Sequence, residues 1–431
     1  MLAPQPNMYN FLKKIFKSNK KPAQRERSFL KVYSNTEVSK IFDSVSNFNE
    51  KSEIRYVGGC VRKILNQEDV DDIDLSVNLN PDEVKECFQS NNIKFFETGI
   101  DHGTITANLG KKNFEITSLR EDVDPDGRHT KVKYTKDWLK DSSRRDFTFN
   151  SIYADKEGNL FDPNDGAKHL DEGRVIFIGD SDKRIQEDYL RILRYIRFFL
   201  NYSKVSHNLS VQKSIKKNIS GITNLSKERL ISELKKIILS KNILKISEDP
   251  FCSGILKTIF PQLVNLNFLG KLNDYSKNLF NKKSFVFLIS YLIIDDSDNA
   301  NYFLFKYNLS NENKKRIKFL IDNYYLFSEK DYFSKKNLQR IYYFNDKSYV
   351  IDLLDLKIFN SKLVSKKLID LKKYFEKFEK PIFPLKSRDL LDKYKVKEGK
   401  DFGQKIKLLE NIWLNNSFKL SKKEIDNVFS N

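Results

Sequence analysis

Two aspartates, Asp72 and Asp74, stand one residue apart in Asp71-Asp72-Ile73-Asp74-Leu75. In an extended strand the side-chain period of two puts both on one side, while Ile73 and Leu75 point the other way into a core. Two carboxylates so close repel unless a cation lies between them, the arrangement that holds one or two Mg²⁺ ions in phosphoryl transfer. A solvated acidic turn has the same composition. Upstream, Tyr56-Val57-Gly58-Gly59-Cys60-Val61-Arg62 sets two glycines between a strand and a helix. Bare backbone N–H groups and a helix N-terminus can meet a phosphate there, with Arg62 one turn on adding a charged fork. A Gly-Gly turn alone is often only a turn; joined to the acidic pair, it points to a metal-assisted phosphate site.

Three more segments carry candidate chemistry. Glu115, in Phe114-Glu115-Ile116-Thr117, is by composition an ordinary outward strand residue, or else the third member of a carboxylate cluster. In Asp141-Ser142-Ser143-Arg144-Arg145-Asp146-Phe147-Thr148-Phe149-Asn150, Arg145 can clamp a triphosphate or pair with its neighbour Asp146 at the surface. Asp188, Arg191, Arg194 and Arg197 recur every third residue in Glu187–Arg197, so on a helix each adjoins the next as a functional stripe or as solvated ion pairs.

The elements that must position these residues follow from apolar patterning. Short runs at Glu53–Val57, Ile73–Val77, Thr104–Leu109 and Phe114–Leu119 predict strands. Helices are predicted from Gly58-Gly59 through Leu65 and over Pro81–Ser90. Beyond residue 183 the period becomes helical: Ile185, Tyr189, Leu190, Leu193, Ile196 and Phe199 form an apolar face, and Leu230–Leu239, Ser284–Ile294 and Lys362–Phe378 continue the pattern. The predicted class is α+β, a small mixed sheet followed by helices, with a boundary near Gly179–Lys183.

Composition bounds the rest. In 431 residues, 39 % hydrophobic and 13 % aromatic content exclude wholesale disorder. The longest apolar stretch, Phe285–Ile294, contains a serine and falls short of the roughly 18–20 residues a bilayer requires, so no membrane is expected. Three widely spaced cysteines and four scattered histidines give neither a disulfide framework nor a zinc site, and a reducing, cytoplasmic setting is expected. The Lys-rich opening, with Phe11-Leu12-Lys13-Lys14-Ile15-Phe16-Lys17, reads as a loose basic tail over 1–31 rather than a targeting segment. The net charge is +19. Residues 241–431 hold 36 basic against 23 acidic side chains, a surplus of +13 that would attract a polyanion.

Taken in order, these segments resemble the polymerase-β-type nucleotidyltransferase superfamily, and within it the class II, bacterial-type CCA-adding tRNA nucleotidyltransferases and the related poly(A) polymerases. Gly58-Gly59-Cys60-Val61-Arg62 with Asp72-Ile73-Asp74-Leu75 looks like the first family motif, and Arg144-Arg145-Asp146-Phe147-Thr148 with Asn150-Ser151 like the second. Asp165-Gly166 with Leu170 and Gly173 resembles the third, Glu187-Asp188-Tyr189-Leu190-Arg191 with Arg194 the fourth, and Glu228-Arg229 with Glu233-Leu234 the fifth. Gly99–Thr104 with Leu119-Arg120 is similar to the family as well. Lys63 departs from the pattern, since many members have Asp after the arginine.

The resemblance implies a nucleotidyltransferase head over 32–180, a helical neck that recognises the base over 181–245, and an RNA-binding body and tail over 246–431. It implies that Asp72 and Asp74 hold catalytic Mg²⁺, with Glu115 a third catalytic carboxylate. Gly59, Arg62 and Arg145 would meet the phosphates and sugar. Asp188 and Arg191 would form a protein template for the base of CTP or ATP, supported by Arg194 and Arg197. The implied reaction is template-independent addition of C and A to the 3′ acceptor end of tRNA, releasing pyrophosphate. A poly(A) polymerase, a partial CC- or A-adding enzyme whose segment Glu121–Lys140 governs the switch, and an inactive RNA-binding protein on the same scaffold are the rival readings. No oligomeric state is implied.

Overall fold

The computed structural model describes residues 22–34, 37–70, 72–123 and 131–430. The run Phe11–Lys17 and Asp71 lie outside the described residues, as does 124–130 within the Glu121–Lys140 segment. The chain divides into two compact units, Met1–Ile237 and Ile238–Asn431.

The first unit is built on a seven-stranded mixed sheet in the order β3-β4-β5-β2-β1-β8-β9. Its strands are β1 (Ile54–Val57), β2 (Asp74–Val77), β3 (Lys94–Gly99), β4 (Thr104–Leu109), β5 (Lys112–Ser118), β8 (Tyr153–Ala154) and β9 (Leu160–Phe161). A separate hairpin pairs β6 (Arg120–Val123) with β7 (Lys131–Tyr134). The four strands expected from the sequence are present. The short β8 and β9 and the mostly exposed β3 escaped the pattern because two residues cannot display an alternation, and a strand without a buried face shows none. Antiparallel β1 and β2 set Tyr56 opposite Leu75, and parallel β2 and β5 set Asp74 opposite Glu115.

Helices α1 (Pro22–Tyr33), α2 (Glu37–Ser46), α3 (Gly59–Leu65), α4 (Pro81–Ser90) and α5 (Trp138–Ser143) belong to this sheet region. Helix α4 starts where its chemistry dictates: Asn80 and Glu83 form a reciprocal capping box with Pro81 in the first turn. Residues 22–31 of the expected loose tail are helical instead. Phe29 is fully buried, 5.7 Å from the Tyr56 ring, so an apolar contact that charge counting overlooks ties this end to the core. Next come α6 (Gly166–Asp171), α7 (Ser181–Glu187), α8 (Arg191–Tyr202), α9 (Leu209–Asn218) and α10 (Lys227–Ile238). Phe147, Phe149, Phe177, Tyr195 and Phe198 form an aromatic cluster that joins α8 to the segment after α5. Burying such rings dominates local packing and fixes α8, with its arginines, against the segment that carries Asp146.

Among the described residues the second unit contains helices and no strand. Every residue of Phe285–Ile293 is buried, with Ser284 capping the helix. Lys366–Lys377 realises most of the expected Lys362–Phe378 helix. The core also encloses an ion network: Asp355 meets Lys372 at 2.8 Å and Lys283, while Arg316 meets Asp352 at 2.5 Å. Among the described residues no helix is long and apolar enough to cross a membrane.

Candidate active site

A cleft of about 1120 Å³ opens in the first unit. Its lining includes Gly58, Gly59, Arg62, Asp72, Asp74, Arg145, Asp188, Arg191, Arg194 and Arg197, so the structure brings together all but one of the site residues expected from the sequence. Glu115 is outside that lining but stands beside Asp74 in the β2–β5 register.

At the floor, Gly58 takes a φ of +65°, a left-handed conformation natural to glycine, and turns the chain from β1 into α3. A Cβ at Gly59 would lie 3.7 Å from Asp74 Oδ2 and 4.0 Å from Arg62 Nη2, so the turn opens directly onto Asp74. Asp74 is half-buried and Asp72 exposed, because β2 begins only at Asp74. Burial, Asp72 and Glu115 together push the Asp74 carboxyl up to about 6, against the pull of Arg145 and Arg62. Carboxylates that repel in this way, all hard oxygen donors, suit a divalent cation, whose binding relieves the repulsion.

Arginines surround the acids, each held by its own partners. Arg62 donates to Asn150 Oδ1, and its guanidinium lies 4.8 Å from the Phe198 ring and 5.1 Å from Tyr202. Arg145 and Asp146 do not pair with each other. Arg145 Nη2 contacts Asp141 Oδ2 at 2.9 Å, and Asp146 Oδ2 accepts from Arg194 Nε at 2.6 Å. Burial would raise the Asp146 carboxyl, but Arg194 and Asn150 overcome it and hold it at about 2. Arg197 pairs with the buried Glu233 of α10. The cluster thus contributes fixed donors and positive charge to a cavity in which Asp146, Glu187 and Asp188 are paired with arginines while Asp72 and Asp74 stand by the glycine turn, an arrangement suited to holding a cation together with a polyphosphate.

The every-third-residue stripe does not lie on one helix. Helix α7 ends at Glu187, Asp188 is extended (φ −154°, ψ 103°), and α8 begins at Arg191. The expected contact between Asp188 and Arg191 is therefore replaced. Asp188 Oδ2 accepts from Arg229 Nη2 of α10 at 2.9 Å, whereas Arg191 donates to Glu187, to the Arg184 carbonyl at 2.8 Å and to the Arg144 carbonyl. Periodicity missed the break because Tyr189 and Leu190 continue the apolar face in sequence. Sequence reasoning also passed over Asp141 as a site residue, although its position three and four residues before Arg144 and Arg145 is a legible helical pairing signal.

Residues 54–176 match the family described as "Poly A polymerase head domain", and residues 209–266 the one described as "Probable RNA and SrmB- binding site of polymerase A". The chain is similar to the mitochondrial CCA tRNA nucleotidyltransferase 1 of Mus musculus, 32 % identical over 395 residues that cover 87 % of this chain and 86 % of the mouse protein. It is 28 % identical to the CCA-adding enzyme of Lactobacillus delbrueckii over 68 % of this chain and 75 % of that one. Among solved structures, the Bacillus stearothermophilus CCA-adding enzyme in complex with CTP shares the fold with a TM-score of 0.69, at 18 % identity over 90 % of this chain and 95 % of that one. The Thermotoga maritima CCA-adding enzyme complexed with tRNA aligns with a TM-score of 0.60 at 19 % identity, over 94 % and 98 %.

Proposed function

The chain belongs to the class II CCA-adding tRNA nucleotidyltransferase and poly(A) polymerase head family, and from that premise we propose that it extends tRNA 3′ ends with C and A, taking CTP and ATP as substrates and releasing pyrophosphate. The observation that carries the reading is the likeness to the mouse CCA enzyme across 87 % of the chain, which extends beyond residues 54–176 and 209–266 that match the polymerase A families.

Within that activity we assign Asp72 and Asp74 as ligands of divalent metal, Mg²⁺ in our reading, with Glu115 beside them. Asp74, pushed up to about 6 by burial and then by the neighbouring carboxylates Asp72 and Glu115, supports this assignment, because a bound cation would offset both. Such a cation, when bound, supplies charge neutralisation on the phosphates and a lower pKa for the attacking hydroxyl. The protein's own part is positioning. Gly59, Arg62 and Arg145 hold the triphosphate so that its α-phosphate faces the RNA 3′-hydroxyl and pyrophosphate leaves on the far side. Asp188 and Arg191 present acceptors and donors to the base edge, Arg229 and Glu187 keep them aimed, and Arg194 and Arg197 brace the wall behind. No nucleic-acid template enters.

We keep the division into a head over 32–180, a neck over 181–245 and an RNA-gripping body and tail over 246–431. The buried thiols Cys60, Cys87 and Cys252 fit a reducing compartment, and we place the protein in the cytoplasm. Recovery of the native protein in purified mitochondria, the compartment in the mouse relative's name, would overturn that placement. For the activity, purified protein is incubated with tRNA lacking its 3′ end and each labelled nucleoside triphosphate in turn. Incorporation of two C and one A is expected. A long A tail with no use of CTP would refute the reading.

A further inference from the structure

Beside the cleft, one carboxylate gathers donors from three elements. Asp141, on the six-residue helix α5, is 1 % exposed. Its Oδ1 accepts from the backbone N–H of Arg120 at 3.2 Å and from Arg144 Nε at 2.9 Å. Its Oδ2 accepts from Arg145 Nη2 at 2.9 Å, from Arg145 Nε at 3.1 Å and from the Tyr153 hydroxyl at 2.6 Å. Burial would push this carboxyl up, but the Arg145 and Arg144 guanidiniums and Tyr153 outweigh it and hold the group well below the usual carboxylate range.

The geometry around Arg145 is directional. Nε is taken by Asp141 and Tyr153, and Nη2 by Asp141 and Ser76 Oγ at 3.3 Å. The remaining nitrogen, Nη1, stands 3.9 Å from where a Cβ on Gly58 would be, at the mouth of the Gly58–Gly59 turn. One carboxylate against two guanidiniums also leaves a surplus positive charge at the cleft wall, which favours an anion there. A guanidinium gripped along one edge loses its rotamer freedom before the ligand arrives, so less is lost on binding.

We propose that Asp141 is a positioning residue for the triphosphate: its buried carboxylate aims the Arg145 guanidinium at the Gly58–Gly59 turn, an inference that rests on the reading of Arg145 as a phosphate ligand. Asp141 acts through Arg145 and does not itself touch the nucleotide.

The test uses the full chain and inorganic pyrophosphate as a probe that has phosphates and no base. Asp141→Asn keeps the shape and removes the charge. It should raise the pyrophosphate concentration for half-inhibition, and KM for CTP and ATP, by about tenfold, the size of a lost charge-assisted hydrogen bond. The kcat and the preference for CTP and ATP over UTP and GTP should change much less, because the base is read elsewhere. Tyr153→Phe removes one hydroxyl from the same network, and should give a smaller rise of the same kind even where Asp141→Asn does not fold. In an Arg145→Ala background, Asp141→Asn should add no further loss of pyrophosphate affinity. An additive loss, or unchanged pyrophosphate inhibition in both folded single variants while Arg145→Ala weakens it, would overturn the role of Asp141. Unchanged inhibition in Arg145→Ala would instead overturn the reading of Arg145 beneath it.

Discussion

At the scale of single residues, the acidic pair illustrates how a functional site stores unfavourable energy. Asp74 is pushed up to about 6 by burial and by Asp72 and Glu115. A carboxyl whose folded pKa lies above its unfolded value weakens the fold once ionised, so this contribution to stability should grow as pH falls through about 6 and be smallest at pH 8. Asp74→Asn should therefore raise the thermal midpoint of the metal-free protein at pH 8 and abolish nucleotide transfer. Millimolar Mg²⁺ should raise the midpoint of the unmutated protein and leave that of Asp74→Asn nearly unchanged, because only a ligand-bearing folded state gains from binding. An equal Mg²⁺ response in both proteins, followed by differential scanning fluorimetry, would contradict the metal assignment. Asp188 and Arg191 carry a separate expectation. Replacing both with Ala should reduce discrimination against UTP and GTP by roughly tenfold to a hundredfold per lost contact, at about 1.5–3 kcal/mol each. Competition among the four triphosphates on one tRNA primer measures this, and unchanged selectivity in a folded variant would count against the template.

At the scale of elements, the break between α7 and α8 matters more than either helix. It turns Asp188 away from Arg191 and toward Arg229, and its Tyr189 ring lies over Gly221, where an added Cβ would stand 2.1–2.3 Å from the ring carbons. Gly221→Ala must displace that ring. The expected outcome is a loss of about 1–3 kcal/mol from overpacking, accompanied by weaker base discrimination, since Asp188 adjoins Tyr189. Denaturant unfolding and the four-nucleotide competition together check it; an unaltered midpoint would show that the break yields freely. The link between α8 and the segment after α5 has a pH signature. Asp146 is held at about 2 mainly by Arg194, against burial that alone would raise it. Its folded pKa is depressed, so its stabilising effect is present above about pH 4 and lost as pH falls toward 2, amounting to about 2 kcal/mol. Asp146→Asn should flatten the acid limb of a midpoint-against-pH curve over that window, and an unchanged limb would assign the acid sensitivity to other carboxylates.

At the scale of the whole molecule, charge and chemistry are segregated. The acids and their arginines belong to the first unit, whereas residues 241–431 carry the surplus of +13. A chain shortened to end near residue 245 should accordingly lose tRNA affinity far more than nucleotide affinity. Binding by the full chain should fall steeply with salt, with a log–log slope of about −0.7 to −0.9 for each phosphate contact. Filter binding across a salt series measures both, and equally tight tRNA binding by the shortened chain would reject the division of labour.

What the sequence determined by itself was the set of parts. The Gly-Gly turn, the closeness of Asp72 to Asp74, the capping chemistry of α4 and the two fold regimes on either side of Ser181 are local facts, written in side-chain period and backbone freedom over a few residues, although β2 begins only at Asp74 and leaves Asp72 outside the expected alternation. Nine of the ten site residues expected from the sequence line the cleft, legible for the same reason, since their motifs are contiguous. The tertiary structure decided which group meets which. Asp74 faces Glu115 through a parallel register spanning some forty residues of chain, a pairing of strands remote in sequence that no local pattern encodes. Arg145 finds Asp141 rather than Asp146, and Asp188 finds Arg229 rather than Arg191. In each case the local sequence offers several partners of suitable charge, and the choice falls to the packing of α5, α8 and α10, whose buried apolar faces fix where the charged tips can reach.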